Sequence, residues 1–188
     1  MTKDITIILD RSGSMRQIKP YVILEFNRFI SEFQTSKLKS RFNLIQFSDT
    51  AEWTFTNLKA EDVELLDESK YITNGSTSLY DTIGETLNQK IQFIESKKKP
   101  RSVTIAIITD GRENSSVEYS QKIIRDLVIK CQDHLHWKIL FFGANQDSVL
   151  EGSQFGLDKK FCTDIKFSKR GMQTAFQSIK SEMLNPAK

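Results

Sequence analysis

The segment that follows the first apolar run carries three oxygen-bearing side chains at two-residue spacing. Asp10 comes directly after the run at 5–9, and Ser12 and Ser14 follow with Gly13 between them. Glycine permits a tight backbone that can turn both hydroxyl groups toward one point. A turn of this composition is also common in ordinary loops, so the segment on its own does not indicate a binding site.

Two further segments carry oxygen ligands next to predicted strand and helix ends. Asp110 closes the apolar run at 103–109, and Thr77 lies directly before a helical pattern. If the two apolar runs are neighbouring parallel strands, Asp10 and Asp110 lie at the same sheet edge, about 5–10 Å apart. Two acids at that distance repel each other unless a cation lies between them. Taken alone, the segment at Thr77 is a common helix cap and Asp110 begins a common turn.

Taken together, these side chains form a donor set that contains oxygen atoms only. Hydroxyls and carboxylates without imidazole or thiolate favour a hard cation, here Mg2+ with Mn2+ and Ca2+ as alternatives, over zinc. The predicted metal ligands are Asp10, Ser12, Ser14, Thr77 and Asp110.

The elements that must position these ligands alternate between strands and helices, which is the pattern of an α/β fold. The strands are continuously apolar, as expected for a sheet that is covered on both faces. Only a few residues separate the second strand from the third, so this pair must be an antiparallel hairpin. We expect a doubly wound, Rossmann-like, six-stranded and mainly parallel sheet with one antiparallel edge strand and helices on both faces. The predicted strands are 5–9, 42–47, 52–56, 103–109, 138–142 and a short one near 161–163.

Four segments show apolar residues at the 3.6-residue spacing of helices that pack on a core. They begin near Val22, Leu79, Ile123 and Met172, and Ser115-x-x-Glu118 has the form of a capping box for the third of them. The heptad-like row in the last helix could bind a partner helix, but docking on its own sheet is favoured. The acidic segment 59–70 is predicted to be a further, solvated helix.

The ligand pattern and the order of elements resemble the von Willebrand factor A family with its metal-ion-dependent adhesion site (MIDAS). That family has Asp-x-Ser-x-Ser after the first strand, a Thr in a Gly-x-Thr loop, and Asp-Gly after the fourth strand. All five positions are matched here, with Ser76 and Ser78 as departures that remove no oxygen ligand. The resemblance covers the chain from Thr2 to about Asn185. It implies a protein-binding module of the stand-alone bacterial or phage intracellular type, in which an Asp or Glu of a partner completes the metal.

A partner that reaches the metal would meet residues at the same sheet edge. Arginines there would attract an acidic partner, although plain solvated arginines are an equally good interpretation. Asn145 follows the fifth strand and would support Asp110 or touch the ligand. The predicted rim consists of Arg11, Met15, Arg16, Tyr80, Arg112 and Asn145, with Gln146 beside it.

Composition narrows the class of protein. The length of 188 residues, 38% hydrophobic content and 27% charged residues are typical of one soluble domain, here residues 1–188. The longest apolar runs are too short to cross a bilayer, and the first residues lead directly into a strand pattern, so a cytoplasmic protein is expected. The net charge of +3 is mildly basic, and most of the clustered charge lies in the run 97–101. At the C-terminal end of a helix such a run complements the helix dipole, and this interpretation is favoured over a nucleic-acid patch. Cys131 and Cys162 are expected to be buried thiols. The protein is expected to be monomeric alone or a subunit of a larger assembly.

Two other functional classes remain as alternatives. A Mg2+-dependent phosphohydrolase or phosphotransferase of the haloacid dehalogenase type also has an Asp at the end of its first strand. That chemistry resembles Asp-x-Asp, and here the second position is Ser12. A serine hydrolase lacks its Gly-x-Ser-x-Gly elbow, and His134 and His136 precede the fifth strand at the wrong edge. The third class is a scaffold with a vestigial metal site. The expectation is therefore a binding module and not an enzyme.

Overall fold

A computed structural model describes residues 2–36, 38–97, 101–144 and 147–184, and its centre is a six-stranded sheet. The strands are β1 (Thr2–Asp10), β2 (Ser40–Phe47), β3 (Ala51–Leu58), β4 (Arg101–Thr109), β5 (Lys138–Ala144) and β6 (Cys162–Ile165). They lie in the order β3-β2-β1-β4-β5-β6. β2 and β3 pair antiparallel, whereas every other pair is parallel. The predicted mixed sheet and its hairpin are confirmed.

The chain reverses its direction of winding at β1, which lies between β2 and β4. Leu9 pairs with Ile108, and Asp10 pairs with Phe47. Asp10 and the end of β4 therefore lie side by side at the carboxyl edge of the sheet. Ligands of doubly wound sheets bind at such a switch point.

Five helices cover the two faces of the sheet. They are α1 (Lys19–Thr35), α2 (Leu79–Lys97), α3 (Gln121–Ile129), α4 (Ser148–Gln154) and α5 (Lys169–Leu184). Because side chains alternate along a strand, Ile7 and Leu9 pack with α1 and α5, whereas Ile8 packs with α2 and α3. The apolar stripe of α5 is buried, which confirms that this helix docks on its own sheet.

The acidic segment 59–70 is not the predicted helix. It forms one 3-10 turn at Ala60–Asp62 and then continues as irregular chain. Val63 and Leu66 are buried against α1. The amide side chain of Asn27 accepts a hydrogen bond from the Leu66 N–H at 2.7 Å and donates one to its carbonyl at 2.8 Å. The prediction was wrong because α1 satisfies backbone groups that a helix would satisfy internally.

The predicted capping box at Ser115 and Glu118 is also wrong. α3 begins at Gln121, and the Ser120 hydroxyl accepts the hydrogen bond of the Ile123 N–H. The residues before it form a loop, because the Asp81 carboxylate accepts bonds from the backbone N–H groups of residues 117–119 at 2.8–2.9 Å.

Other features of the described residues agree with the sequence. Cys131 and Cys162 are buried free thiols, and burial raises the pKa of Cys131 to about 12 and that of Cys162 to about 11. His134 and His136 are exposed and precede β5. Among the helices described, none has the length and apolar character needed to cross a membrane.

A cluster of buried charges lies at the amino edge of the sheet. Asp4 is fully buried and pairs with both Lys90 and Arg101, the latter at 2.6 Å. The side chain of Asn43 donates to Asp4 at 3.1 Å. Buried ions are tolerated only when they are paired, so Asp4 holds two cations in place at once.

Replacing Asp4 by Asn is expected to destabilise the protein by about 3 to 5 kcal/mol, because Lys90 and Arg101 then remain buried without their counter-charge. Urea unfolding measures this change. Asp126→Asn serves as the control, since Asp126 pairs with Lys122 on the exposed surface and its loss should hardly move the urea midpoint. An Asp4→Asn midpoint equal to that of the control would contradict the role of the buried cluster.

Candidate metal centre

The carboxyl edge of β1 and β4 brings the predicted ligands into one place. Asp10 is the last residue of β1, and Asp110 follows the last residue of β4. Short polar segments after these strands carry the serines, and the loop that leads into α2 carries Thr77.

The carboxylate of Asp10 is fully buried and held by two hydrogen bonds. One oxygen accepts from the Ser12 N–H at 2.6 Å, and the other accepts from the Thr109 hydroxyl at 2.6 Å. Burial, with a smaller contribution from the charge of Asp110, nevertheless raises the pKa of Asp10 from 3.8 to about 6. The two hydrogen bonds oppose this shift without cancelling it. The ionised carboxylate therefore lacks part of the stabilisation that water gave it.

The hydroxyl groups form a chain from the Asp10 loop to the end of β4. The Ser12 and Ser14 oxygens lie 3.1 Å apart, and the Ser14 hydroxyl donates to the Asp110 carboxylate at 2.8 Å. Burial also raises the pKa of Asp110. Ser12 is buried whereas Ser14 is exposed, so the chain leads from the protein interior to solvent.

Thr77 meets this group from the side of α2. Its hydroxyl oxygen lies 3.1 Å from the position that a Cβ atom would occupy at Gly111. A side chain at position 111 would therefore be in tight contact with this hydroxyl. The Thr77 N–H donates to the Asn114 side chain at 2.9 Å, and this bond fixes the loop against the segment after β4.

Backbone contacts join the two ligand-bearing loops. The Gly13 N–H donates to the Gly75 carbonyl at 3.1 Å, and the Asn74 N–H donates to the Arg11 carbonyl at 2.9 Å. Gly75 has a φ of 72°, and a side chain there would collide with the carboxylate of Asp49. Backbone hydrogen bonds that need no ligand therefore fix the two loops relative to each other.

Three supporting residues were missed by the sequence analysis. The buried Tyr71 hydroxyl donates to the Asp10 carbonyl at 2.5 Å, Thr109 bonds the Asp10 carboxylate, and Asn114 holds Thr77. Thr109 directly precedes Asp110, so its position beside the neighbouring strand end could have been inferred from the strand pairing. No local pattern points to Tyr71 or Asn114, because both act across long sequence separations.

The residues predicted for the rim differ in their exposure, and their role in partner binding stays a prediction. Arg16 and Arg112 are exposed. Arg11 is half-buried and pairs with Glu52 at 3.2 Å, so its charge is already engaged. Tyr80 is partly buried and packs edge-on against Phe155, with ring centroids 5.6 Å apart.

Met15 is not a rim residue. Its side chain is fully buried, where it packs with Ile18 and Val22 in the core beneath α1. The spacing of these three residues extends the apolar stripe of α1 backward through the 3-10 turn Gly13–Ile18. This spacing could have indicated from the sequence that Met15 is a core residue. Asn145 and the neighbouring Gln146 lie outside the described residues.

The donor set fits a hard divalent cation. The described residues contain no group of three or more His, Cys, Asp or Glu side chains suited to a metal. This place therefore differs from a carboxylate-rich cage, because it offers two carboxylates and three hydroxyls. A cation would relieve the repulsion between Asp10 and Asp110 and would favour their ionised forms.

Several solved structures share this fold. Proximal thread matrix protein 1 from the mussel byssus, in a structure with a zinc-occupied MIDAS motif, has a TM-score of 0.70 at 16% identity over 95% of this chain and 47% of that chain. A von Willebrand factor type A protein from Catenulispora acidiphila has a TM-score of 0.66 at 13% identity, over 97% of this chain and 43% of its own. The pilus adhesin SpaC from Lactobacillus rhamnosus GG gives 0.72 at 12% identity, over 97% of this chain and 30% of its own.

The chain thus spans less than half the length of these structures, and at such identities the likeness shows the fold alone. A comparison with curated proteins found no match. The family model of the von Willebrand factor type A domain matches residues 4–177, which is nearly the whole chain. The sheet order, the polar carboxyl edge and this match lead to one conclusion: the chain belongs to the von Willebrand factor type A domain family.

Proposed function

We propose that this chain is a metal-dependent protein-binding module. A divalent cation, Mg2+ by preference, is held at one edge of the sheet and is completed by an acidic side chain of a partner protein. Membership of a family whose domains typically mediate protein interaction and adhesion supports this proposal. The proposed ligands are Asp10, Ser12, Ser14, Thr77 and Asp110.

The observation that carries the proposal is the convergence of two partly desolvated carboxylates on a chain of hydroxyls. Ser14 links Ser12 to Asp110 by contacts of 3.1 and 2.8 Å. A rise of the Asp10 pKa from 3.8 to about 6 corresponds to about 3 kcal/mol of lost stabilisation of the ionised form. A dication would restore that stabilisation, because its positive charge attracts the two carboxylates in their ionised forms.

The composition of the donor set favours binding over a closed structural site. Three neutral hydroxyls leave a dication less neutralised than a cage of carboxylates would. When bound, the metal would supply an electrophilic position for one further oxygen ligand. Ser14 is exposed, so a partner side chain can approach from solvent on that side.

Two arginines near this edge favour a partner that carries negative charge. Arg16 and Arg112 are both exposed, and neither forms an ion pair within the described residues. Exposed charges of one sign raise the rate at which an oppositely charged protein is captured. They would orient an acidic loop before it reaches the metal.

The proposal assigns no catalytic turnover to the site. Ser12 stands where a phosphohydrolase of the haloacid dehalogenase type would have a second acid. The exposed His134 and His136 lie before β5, at the amino edge of the sheet, and the seven residues of β5 separate the two edges by about 20 Å. A proton-transferring His is therefore absent from the carboxyl edge in the described part of the chain.

Asp10→Asn is expected to reverse the effect of metal on stability. In chelator at neutral pH, the variant should be at least as stable as the wild type, because it removes a buried charge. The amide oxygen of Asn can accept from the Ser12 N–H, and its NH2 group can donate to the Thr109 hydroxyl, which can then donate to the Gly111 carbonyl. In Mg2+ at about a hundred times its Kd, only the wild type should gain about 2.7 kcal/mol. Urea unfolding in Mg2+, Mn2+, Zn2+ and chelator measures both effects.

Ser12→Ala should also lose the response to metal, whereas the control Asp126→Asn, on the exposed surface of α3, should keep it. A wild type whose unfolding is the same in every divalent metal and in chelator would contradict the proposed site.

The increase in stability caused by metal is expected to depend on pH, because Asp10 must be ionised to bind the metal. Its folded-state pKa of about 6 exceeds the ordinary 3.8, so the stabilising contribution of the protonated group is full below 3.8 and is lost as the pH rises through about 6. Metal binds the ionised form and acts in the opposite direction. The rise in Tm caused by Mg2+ should be large near about pH 7.5 and small near about pH 5. Equal rises at both pH values would contradict ionised Asp10 as a ligand.

Partner binding is expected to require both metal and the site. Affinity capture from cells that produce this protein compares wild type with Asp10→Ala plus Ser12→Ala, each in Mg2+ and in chelator. Metal-dependent partners should disappear from the variant and from the chelator samples, remain with Lys122→Gln, and be displaced by a soluble acidic peptide. The same partners in all samples would contradict the mechanism.

A further inference from the structure

The amino edge of the sheet, opposite the candidate metal centre, contains a polar cavity of about 550 Å³. Four cationic side chains line it, namely Lys39, Arg41, Lys59 and Arg101. We call this place the basic cavity. No part of the proposed metal-dependent function uses it.

The topology of the sheet explains why these cations meet. Lys39 and Arg41 flank the first residue of β2, Arg101 is the first residue of β4, and Lys59 follows the end of the antiparallel strand β3. β1 lies between β2 and β4. In the strand register, Asp4 of β1 lies opposite Arg41 of β2, and Thr2 of β1 lies opposite Arg101 of β4. Strand ends from β3 to β4 therefore present positive charge along one edge, about 14 Å wide at 4.8 Å per strand.

The positive charge of the basic cavity is poorly compensated. Glu61 is the one carboxylate among its described lining residues, and it pairs with Lys59 at 3.1 Å. Within the residues that the structure describes, the side chains of Lys39 and Arg41 form no ion pair or hydrogen bond. Like charges that share a cavity repel each other unless an anion lies among them.

Arg101 adds donors as well as charge. One terminal nitrogen of its guanidinium group bonds Asp4 at 2.6 Å and Asn57 at 3.0 Å. A guanidinium group has five N–H donors, so the bonds found in the described structure leave most of them available. Asp4 also forms an ion pair with Lys90, so one carboxylate is the counter-ion of two cations. The guanidinium is thus fixed in direction and still able to bind an anion.

We propose that the basic cavity binds a chain of two or three phosphate groups. Arginine and lysine are the side chains that proteins use for phosphate, the former through paired N–H bonds and the latter as a point charge. The cavity volume lies within the range of about 300–1,000 Å³ typical of small-molecule sites. Cations spread over several strand ends exceed the reach of one phosphate, which favours a linked chain.

The lining also shows which part of a ligand is recognised. Leu38 and Ala60 are its apolar members, and no aromatic ring lines the cavity within the described residues. A nucleobase would find no ring to stack on, so the phosphates are the recognised part. Inorganic polyphosphate and the phosphates of a nucleotide share this chemistry.

The basic cavity is independent of the metal centre. The nine residues of β1 connect the two edges and span about 25–30 Å. This distance exceeds the Debye length of about 8 Å at physiological ionic strength, so charges at one edge are screened from the other.

Calorimetric titration of the metal-stripped protein with tripolyphosphate and with ATP tests the proposal at an ionic strength of about 0.15 M. Removing metal prevents the phosphates from binding through the other edge. Lys39→Gln with Arg41→Gln is the test variant. Lys159→Gln with Lys160→Gln is the control, since it removes the same charge at exposed positions elsewhere. Urea unfolding verifies that both variants fold, and Lys39→Gln with Lys59→Gln, both exposed, repeats the test if Arg41 proves necessary for folding.

We expect saturable binding to one site, weakened about tenfold or more in the test variant and within about twofold of wild type in the control. Equal affinity for the two ligands supports recognition of the phosphate chain by itself, and tighter binding of ATP supports a nucleotide as its source. Absence of saturable binding at millimolar ligand, or equal weakening in test and control variants, overturns the proposal.

Discussion

The burial of two carboxylates at the ends of adjacent parallel strands is the constraint on which the carboxyl edge of this protein depends. β1 and β4 pair in a register that places Asp10 beside the end of β4, directly before Asp110. Both groups are removed from water in part, and the pKa of each is raised mainly by that burial. The fold thus places two carboxylates where their ionised forms are disfavoured, and this is the physical basis of the proposed cation site.

These loops are organised by bonds that do not depend on a metal. Thr109 and the Ser12 N–H hold the Asp10 carboxylate, and the Gly13 and Gly75 backbones join the two ligand-bearing loops. Tyr71 bonds the Asp10 carbonyl from beneath. A site fixed in this way loses little conformational freedom when a ligand arrives, which favours affinity. In the proposed site a metal would supply the positive charge, and the chain holds the ligands in position.

The two edges of the sheet carry opposite character because of how the chain is wound. The buried carboxylates Asp10 and Asp110 lie at the carboxyl edge, whereas strand starts and the hairpin end carry Arg41, Arg101 and Lys59. Asp4 balances part of the charge at the amino edge from within. The proposed metal-dependent partner site and the proposed anion site therefore lie at separate places on one small sheet.

The sequence predicted the strands and the proposed ligands because these depend on local order. An apolar run followed by Asp places a carboxylate at a strand end, and the short link between β2 and β3 requires a hairpin. Features that depend on distant residues were missed. The Tyr71 hydroxyl bonds the Asp10 carbonyl although the two residues are far apart in the sequence. The side chain of Asn27 bonds the backbone of Leu66, within the segment 59–70 that was predicted to be a helix. Met15 was placed on the surface although its spacing with Ile18 and Val22 indicates the core. The short helix α4 has no stripe long enough to be recognised.

The most direct measurement of the central claim is a crystal structure of the protein with Mn2+, located by its anomalous scattering. We expect one strong anomalous peak among the side-chain oxygens of Ser12, Ser14 and Asp110, and none at that place in Asp10→Asn. A map with no peak at this edge at millimolar Mn2+, or an equal peak in the variant, would contradict it.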